Sequence, residues 1–193
     1  MTPKQADRLR QKIADIRRAL AAEKRKFGWY DDSRGLRYCP TRYYVQLGDF
    51  TGGLAYVRWF TKCFPDDAGF PDFLLEWTII LFQRGKLREA AQKAIETHYA
   101  DIHLVDRFLE KPSTPLEPWE QAPLEADTDA PYFEALGRQT TLWGFAEWLA
   151  AFTATEEFLL SARRFVDLNR QLHSENDLEK RRYLVRQLYP ATQ

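Results

Sequence analysis

Residue types that commonly carry out chemistry are few in this chain, and their spacing matches no catalytic or metal-binding pattern. Three histidines occur, at positions 98, 103 and 173. His98 and His103 are five residues apart, a spacing that does not place both rings on one helix face, and no carboxylate completes a zinc signature. Arg84-Gly85-Lys86 is a turn sequence and lacks the glycine-rich pattern that binds phosphate. We therefore predict no catalytic residues, no metal and no cofactor.

The two cysteines, Cys39 and Cys63, fit neither a disulfide framework nor a four-ligand zinc site. Cys63 lies among Trp59, Phe60 and Phe64, a setting that favours a core-filling thiol over a nucleophile. The neighbours of Cys39 do not decide between these roles, so we leave its role open.

One polar loop has residues that could form a small site. Residues 28–39 read GWYDDSRGLRYC, in which Asp31, Asp32 and Arg34 combine opposite charges with turn residues. With Arg42 they could act as an acid/base or anion site. The same charges could instead pin the loop through Asp–Arg pairs, and we favour that interpretation. A small-ligand or anion-binding protein, or an enzyme, using the Asp31–Arg42 region is therefore our alternative function.

Composition limits the possible partners. The 193 residues are 45% hydrophobic, and 28 lysines and arginines balance 28 acids. A net charge of zero provides no global field that would attract nucleic acid or an anionic membrane. The first residues, MTPKQADRLRQK, lack the apolar run of a signal peptide, and no segment is apolar over the length of a membrane span. We predict a cytoplasmic protein that binds neither nucleic acid nor membranes.

The periodicity of apolar residues predicts helices throughout. Residues 3–26 form one long helix, with Thr2 as N-cap, Pro3 at the first helical position and Gly28 after its end. The helix has one thin apolar stripe: Leu9, Ile13, Ile16 and Leu20. Its remaining surface is strongly basic, a pattern compatible with nucleic-acid or membrane binding. The thin aliphatic stripe favours a solvated helix that docks on the body of the protein.

Two helical hairpins follow in the centre of the chain. The predicted helices are Pro40–Leu47, Phe50–Cys63, Asp72–Arg84 and Leu87–His98. Gly48-Asp49 and Gly85 supply the two turns, 37 residues apart. A glycine inside a helix costs stability, so Gly53 indicates that another helix approaches closely at that point.

The rest of the chain alternates between helix and linker. A short helix at Asp101–Leu109 precedes an acidic, proline-rich linker at 111–131, which breaks the helical periodicity. Three C-terminal helices are predicted: Tyr132–Phe152, a helix capped by Thr153 or Thr155 that runs to His173, and Glu175–Leu188, opened by a capping box at Ser174.

We thus predict an all-α protein of about eight helices, in which residues 1–110 hold the long helix and hairpins and residues 132–193 pack on the same body. From Asp101 to Glu134 there are nine acids and two bases. We hypothesise that this acidic stretch faces the basic N-terminal helix.

The two hairpins resemble tetratricopeptide repeats, helix–turn–helix units of 34 residues. In the first copy, Gly48 is followed at the expected offsets by Phe50, Gly53 and Pro65. In the second copy, Gly85 is followed by Leu87 and Ala90, but Ile102 stands where the family has proline. The resemblance covers roughly residues 38–103.

The resemblance implies a fold of TPR-like hairpins, here flanked by the N-terminal helix and a C-terminal helical bundle. It also implies that peptides or protein segments bind in a concave groove lined by the first helix of each pair. The corresponding residues are Tyr38, Arg42, Val45, Gln46, Leu75, Ile79, Phe82 and Gln83. The guanidinium of Arg42 could bind a carboxylate with two hydrogen bonds.

We therefore predict a non-enzymatic adaptor or scaffold that binds a protein or peptide segment. Two alternatives stay open. The groove could be filled by the chain's own linker or helices, and the apolar stripe of the N-terminal helix could form a homodimer.

Overall fold

A computed structural model describes residues 1–30, 32–112, 115, 117, 119, 136 and 142–188 of the chain. Within these residues the regular structure is nine α-helices and one 3-10 helix, with no strand. The prediction of an all-α fold is therefore confirmed. No helix in the described ranges is both long and apolar enough to cross a membrane.

The helices in chain order are α1 (Pro3–Phe27), the 3-10 helix (Leu36–Tyr38), α2 (Cys39–Leu47), α3 (Phe50–Cys63), α4 (Pro71–Gln83), α5 (Leu87–Ala100), α6 (Leu104–Phe108), α7 (Trp143–Thr153), α8 (Glu156–Ser174) and α9 (Leu178–Leu188). The predicted start of the seventh helix at Tyr132 lies outside the described residues.

Helix α1 begins and ends as the sequence predicts. Thr2 accepts from the backbone N–H of Gln5, and the Gln5 side chain accepts from the N–H of Thr2, which completes a capping box. Gly28 ends the helix in the left-handed conformation. Ile13 and Leu20 are buried, and α1 packs on α2 and the 3-10 helix. The thin stripe therefore docks on the body of the protein.

The two central hairpins share one turn geometry. Gly48 and Gly85 adopt φ angles of 67° and 68°, a region that glycine enters without strain. In each turn the glycine N–H donates to the carbonyl three residues earlier, and the next N–H donates to the carbonyl five residues before it. Helices α2, α3, α4 and α5 pack as two adjacent hairpins around α4.

Gly53 lies where α3 meets its neighbours, as the sequence predicts. A Cβ atom at this position would lie 2.9 Å from Ile80 Cδ1 and 3.3 Å from Tyr44 Cβ. We expect Gly53→Ala to lower the free energy of unfolding by about 1 to 3 kcal/mol because the added methyl overpacks the contact between α3, α2 and α4. Urea denaturation measures the change.

Gly144 in α7 is the matched control for this substitution. A Cβ atom there would have no neighbour within 4 Å, so Gly144→Ala should stabilise the helix slightly or leave it unchanged. Equal effects of the two substitutions would show that close approach is not the reason for glycine at position 53.

Helix α4 is the centre of the core, and the C-terminal helices join the same core. Eight of its thirteen residues are buried. Phe82 at its C-terminal end contacts Phe145 of α7, with ring centroids 5.5 Å apart. Tyr99 of α5 stacks on Phe165 of α8 at 4.4 Å. One continuous cluster of buried side chains therefore connects the hairpins with α7 and α8.

Two sequence predictions about the C-terminal half need correction. Ser174 is the last residue of α8, and its hydroxyl donates to carbonyls of the preceding turn, so it does not open a capping box. Asp177 caps the last helix instead, since its carboxylate accepts from the N–H of Lys180 at 2.9 Å. Helix α9 consequently begins at Leu178.

The acidic stretch does not pair with α1 in the described part of the chain. Its carboxylates bind cations nearby or on α8: Asp101 with Arg107, Asp106 with Lys111 and Glu117 with Arg170. Glu110 is exposed to solvent, and the other five acids of this stretch lie outside the described residues. The hypothesis of paired basic and acidic segments is wrong for the acids that the structure describes.

Candidate functional site

The predicted concave groove is not an open surface along α4. Leu75 and Ile79 are 1% and 0% exposed, and Val45 of α2 is equally buried. A bound peptide could not touch these side chains, because α2, α3, α5 and α7 all pack against α4. The prediction that they line a peptide groove is therefore corrected.

The C-terminal end of the predicted groove is covered by the chain itself. Phe82 is half-buried, and its ring lies 5.5 Å from that of Phe145 and 5.1 Å from that of Trp148. Gln46 and Gln83 are half-buried. Helix α7 thus occupies the position that a peptide would need beside Phe82, as in the alternative of a self-filled groove.

Tyr38 belongs to a structural cluster around Asp67. Its hydroxyl donates to the Asp67 carboxylate at 2.8 Å, and Arg37 Nε donates to the same carboxylate at 2.7 Å. Burial and the Asp67 charge raise the pKa of Tyr38 to about 12. The Tyr38 ring also packs on Phe60, Phe70 and Phe73. These contacts fix the 3-10 helix to the start of α4.

Arg42 is engaged by two acids of α4. Its Nε donates to Glu76 Oε1 at 3.0 Å, and its terminal nitrogen donates to Asp72 at 2.6 Å. Arg42 therefore binds carboxylates, as its chemistry predicts, but these carboxylates belong to its own chain. The contact joins α2 to α4.

Glu76 is buried beneath this pair. Burial raises the pKa of its carboxyl to about 7, although the Arg42 guanidinium and the Thr41 hydroxyl act in the opposite direction. Thr41 Oγ1 lies 2.6 Å from Glu76 Oε2 and 2.9 Å from the carbonyl oxygen of Tyr38. The ionised carboxylate accepts from the Thr41 hydroxyl, whereas a protonated Glu76 can donate to Thr41 Oγ1 and leave the Thr41 hydrogen for the Tyr38 carbonyl.

Asp32 and Arg34, the two predicted loop charges that the structure describes, do not meet at one point. Asp31 lies outside the described residues. The Asp32 carboxylate accepts from the N–H groups of Leu36 and Arg37, while Arg34 points toward Glu23 at 4.0 Å. Asp32 also pairs with Arg37. The loop is therefore pinned by an Asp–Arg pair, in agreement with the interpretation that the sequence favours.

The two thiols and His98 occupy structural settings. Burial raises the pKa of Cys39, which disfavours the reactive thiolate. Cys63 lies 3.5 Å from the Tyr30 hydroxyl. Burial lowers the pKa of His98, whose ring packs edge-on against Phe158. No group of three or more potential metal ligands occurs among the residues described.

An accessible groove lies elsewhere, between α5, α8 and α9. Its volume is about 320 Å³. The lining side chains are mainly apolar, with polar groups among them: Tyr99, Leu160, Ser161, Arg164, Phe165, Leu168, Gln187 and Leu188. We call these eight residues the C-terminal groove. Leu160 is 56% exposed at its edge.

Hydrogen bonds hold the walls of the C-terminal groove together. Tyr99 Oη and Ser161 Oγ are 2.6 Å apart, which ties α5 to α8. Arg164 donates to the side-chain oxygen of Gln187 at 2.9 Å, which ties α8 to α9. The groove is therefore formed by three helices that are connected by side chains.

Sequence reasoning missed the C-terminal groove. Leu160, Arg164 and Leu168 follow one another at intervals of four residues, so they share a face of α8. The two leucines on this face, beside the core face of α8, were the signal in the sequence that could have indicated the groove. The position of Tyr99 and Leu188 against it could not be read from α8 alone.

The sequence matches no protein family, no curated protein and no solved structure.

Proposed function

We propose that the protein is a non-enzymatic, tetratricopeptide-like scaffold that binds a segment of another protein in the C-terminal groove. The observation that carries this proposal is the apolar lining of the open groove, in which Leu160 is 56% exposed, Leu168 is half-buried and Leu188 is 4% exposed. Exposed, contiguous apolar surface with a polar rim is typical of sites where proteins bind partners. The matching turns of the two central hairpins support a repeat-like scaffold.

The chemistry of the groove specifies the kind of segment. Its leucines and Phe165 favour an aliphatic side chain as the anchor. Arg164 lines the same groove, and α9 carries four lysines and arginines against one acid. A carboxylate close to the anchor would complement this charge and accept hydrogen bonds from the guanidinium. The expected ligand is therefore a peptide segment with an aliphatic residue beside an aspartate or glutamate.

The test selects peptides with the full chain and then measures their affinity. A library of random displayed peptides is enriched on the immobilised protein, and selected sequences are synthesised with a fluorophore for anisotropy titration. We expect enrichment of an aliphatic residue next to an acid. Leu160→Glu should weaken binding at least about tenfold because it places a carboxylate in the apolar groove. Arg164→Glu should weaken acid-containing peptides selectively.

Leu159 gives a matched control because it precedes Leu160 on α8, is 41% exposed and does not line the groove. Leu159→Glu should leave the affinity within about twofold. Circular dichroism checks that each variant retains its helices. The proposal is wrong if no peptide is enriched, or if selected peptides bind wild type and Leu160→Glu equally.

A further inference from the structure

Helix α1 concentrates positive charge on a surface that nothing in the described structure covers. It contains nine lysines and arginines and only three acids, and all nine cationic side chains are exposed. The complete chain has no net charge, so the rest of the sequence carries a matching excess of acids. Zero net charge therefore conceals the strongly cationic face that the sequence of α1 indicates.

The few acids of α1 leave most of this charge available. Asp7 pairs with Arg10 and Asp15 pairs with Arg18, each within one helical turn. The third acid, Glu23, is half-buried and faces Arg34. The cations Lys24, Arg25 and Lys26 at the end of the helix are exposed to solvent.

Two exposed aromatic rings stand beside these three cations. Trp29 is 66% exposed and Phe27 is 38% exposed, and their ring centroids are 6.3 Å apart. The ammonium group of Lys26 lies over the Phe27 ring at 4.7 Å. We call Lys24, Arg25, Lys26, Phe27 and Trp29 the aromatic end of α1. Exposed rings beside cations are the arrangement that binds unpaired bases and their phosphates.

We propose that the outer face of α1 binds single-stranded nucleic acid, with phosphates along its cations and a base stacked at the aromatic end. The helix has 25 residues and is about 37 Å long, so its cations form an extended track for a flexible polyanion. This function is independent of the C-terminal groove.

The geometry favours this ligand over a membrane and over an acidic protein. The apolar stripe of α1 is turned toward the body, where Ile13 and Leu20 are buried, so the helix has no apolar face to insert into lipid. An acidic protein segment would complement the cations but would not need the exposed rings. A nucleotide uses both features, because its phosphate binds the cations and its base stacks on the rings.

The test measures fluorescence anisotropy of a labelled strand of about 20 thymidines with the full chain, at salt concentrations from about 50 mM upward. We expect affinity to fall with salt by about 0.7 logarithmic units per phosphate bound, for each tenfold increase in salt. The triple variant Lys24→Gln/Arg25→Gln/Lys26→Gln should weaken binding at least about tenfold. Trp29→Ala, which changes no charge, should weaken it about fivefold or more.

A second triple variant controls for net charge. Arg84→Gln/Lys86→Gln/Arg88→Gln removes three cations at the turn between α4 and α5, remote in sequence from the aromatic end. It should keep the affinity within about twofold. Equal losses in the two triple variants would overturn the proposal, because they would indicate binding through overall charge.

Three further outcomes decide the class of ligand. A duplex of the same length should bind more weakly than the single strand and should not respond to Trp29→Ala. The proposal is overturned if the duplex binds as tightly with no role for Trp29. It is equally overturned if polyglutamate, or phosphatidylserine vesicles, bind with the same dependence on α1 while the single strand does not.

Discussion

Phe145→Ala is expected to lower the free energy of unfolding by about 3 to 5 kcal/mol. Phe145 is 0% exposed, and its ring meets Phe82 of α4 and Phe108 of α6, each at a centroid distance of 5.5 Å. Removing it leaves a cavity at the junction of three helices, which the surrounding helices can only partly fill.

Urea denaturation followed by circular dichroism and tryptophan fluorescence measures this loss. Because α7 shares one core with α4 and α6, we expect both signals to report a single transition at a lower urea midpoint. Phe70→Ala is the matched control, since Phe70 is 57% exposed and should cost about 1 kcal/mol or less. Two separate transitions in Phe145→Ala would contradict a shared core.

Glu76→Gln is expected to remove a pH dependence of stability between about pH 4.5 and pH 7. The raised pKa of about 7 means that folded Glu76 holds a proton that the unfolded chain has released above its ordinary value of 4.5. This contribution to stability is therefore complete below pH 4.5 and is lost as the pH rises through 7. The wild type should lose about 3 kcal/mol relative to Glu76→Gln across this range.

The hydrogen bonds explain why glutamine should replace glutamate without disrupting the fold. The glutamine amide can donate to Thr41 Oγ1, as the protonated carboxyl does, while its oxygen still accepts from Arg42. At pH 8 we therefore expect Glu76→Gln to be at least as stable as wild type. Subtracting the two stability curves cancels His98, whose lowered pKa makes both proteins lose stability as the pH falls below about 6.5.

Glu89→Gln removes an exposed carboxyl from α5 and serves as the control for the loss of one acid. The stability difference from wild type should depend on pH in a clearly different way for Glu76→Gln than for Glu89→Gln. A Glu76→Gln protein that is several kcal/mol less stable than wild type at pH 8 would show that the ionised carboxylate is the stabilising form, with Arg42 outweighing the cost of burial.

Because Arg42 pairs with Asp72 and Glu76, a variant with the opposite charge at position 42 is a poor test of ligand binding. Reversing its charge would place a third acid beside Asp72 and Glu76, so loss of binding in such a variant would report unfolding. Exposed positions such as Leu160 and Trp29 avoid this difficulty, because their side chains contribute little to the core.

Local signals in the sequence determined where the helices begin, turn and end. The capping box at Thr2 and the left-handed glycines at 48 and 85 depend only on atoms within a few residues. Gly53 is predictable because the space at that one position admits no larger side chain without overpacking. For the same reason the apolar stripe of α1 and the all-α fold were predictable.

The tertiary structure alone decided which surfaces stay accessible. Arg42 meets Glu76 across 34 residues of sequence, and Tyr99 meets Ser161 across 62. Periodicity shows that a helix has an apolar face, but it does not show which other helix covers that face. The resemblance to tetratricopeptide repeats implies an open groove at Leu75 and Ile79, but α4 lies at the centre of the core and both side chains are buried. The C-terminal groove could be located only after α5, α8 and α9 were placed together.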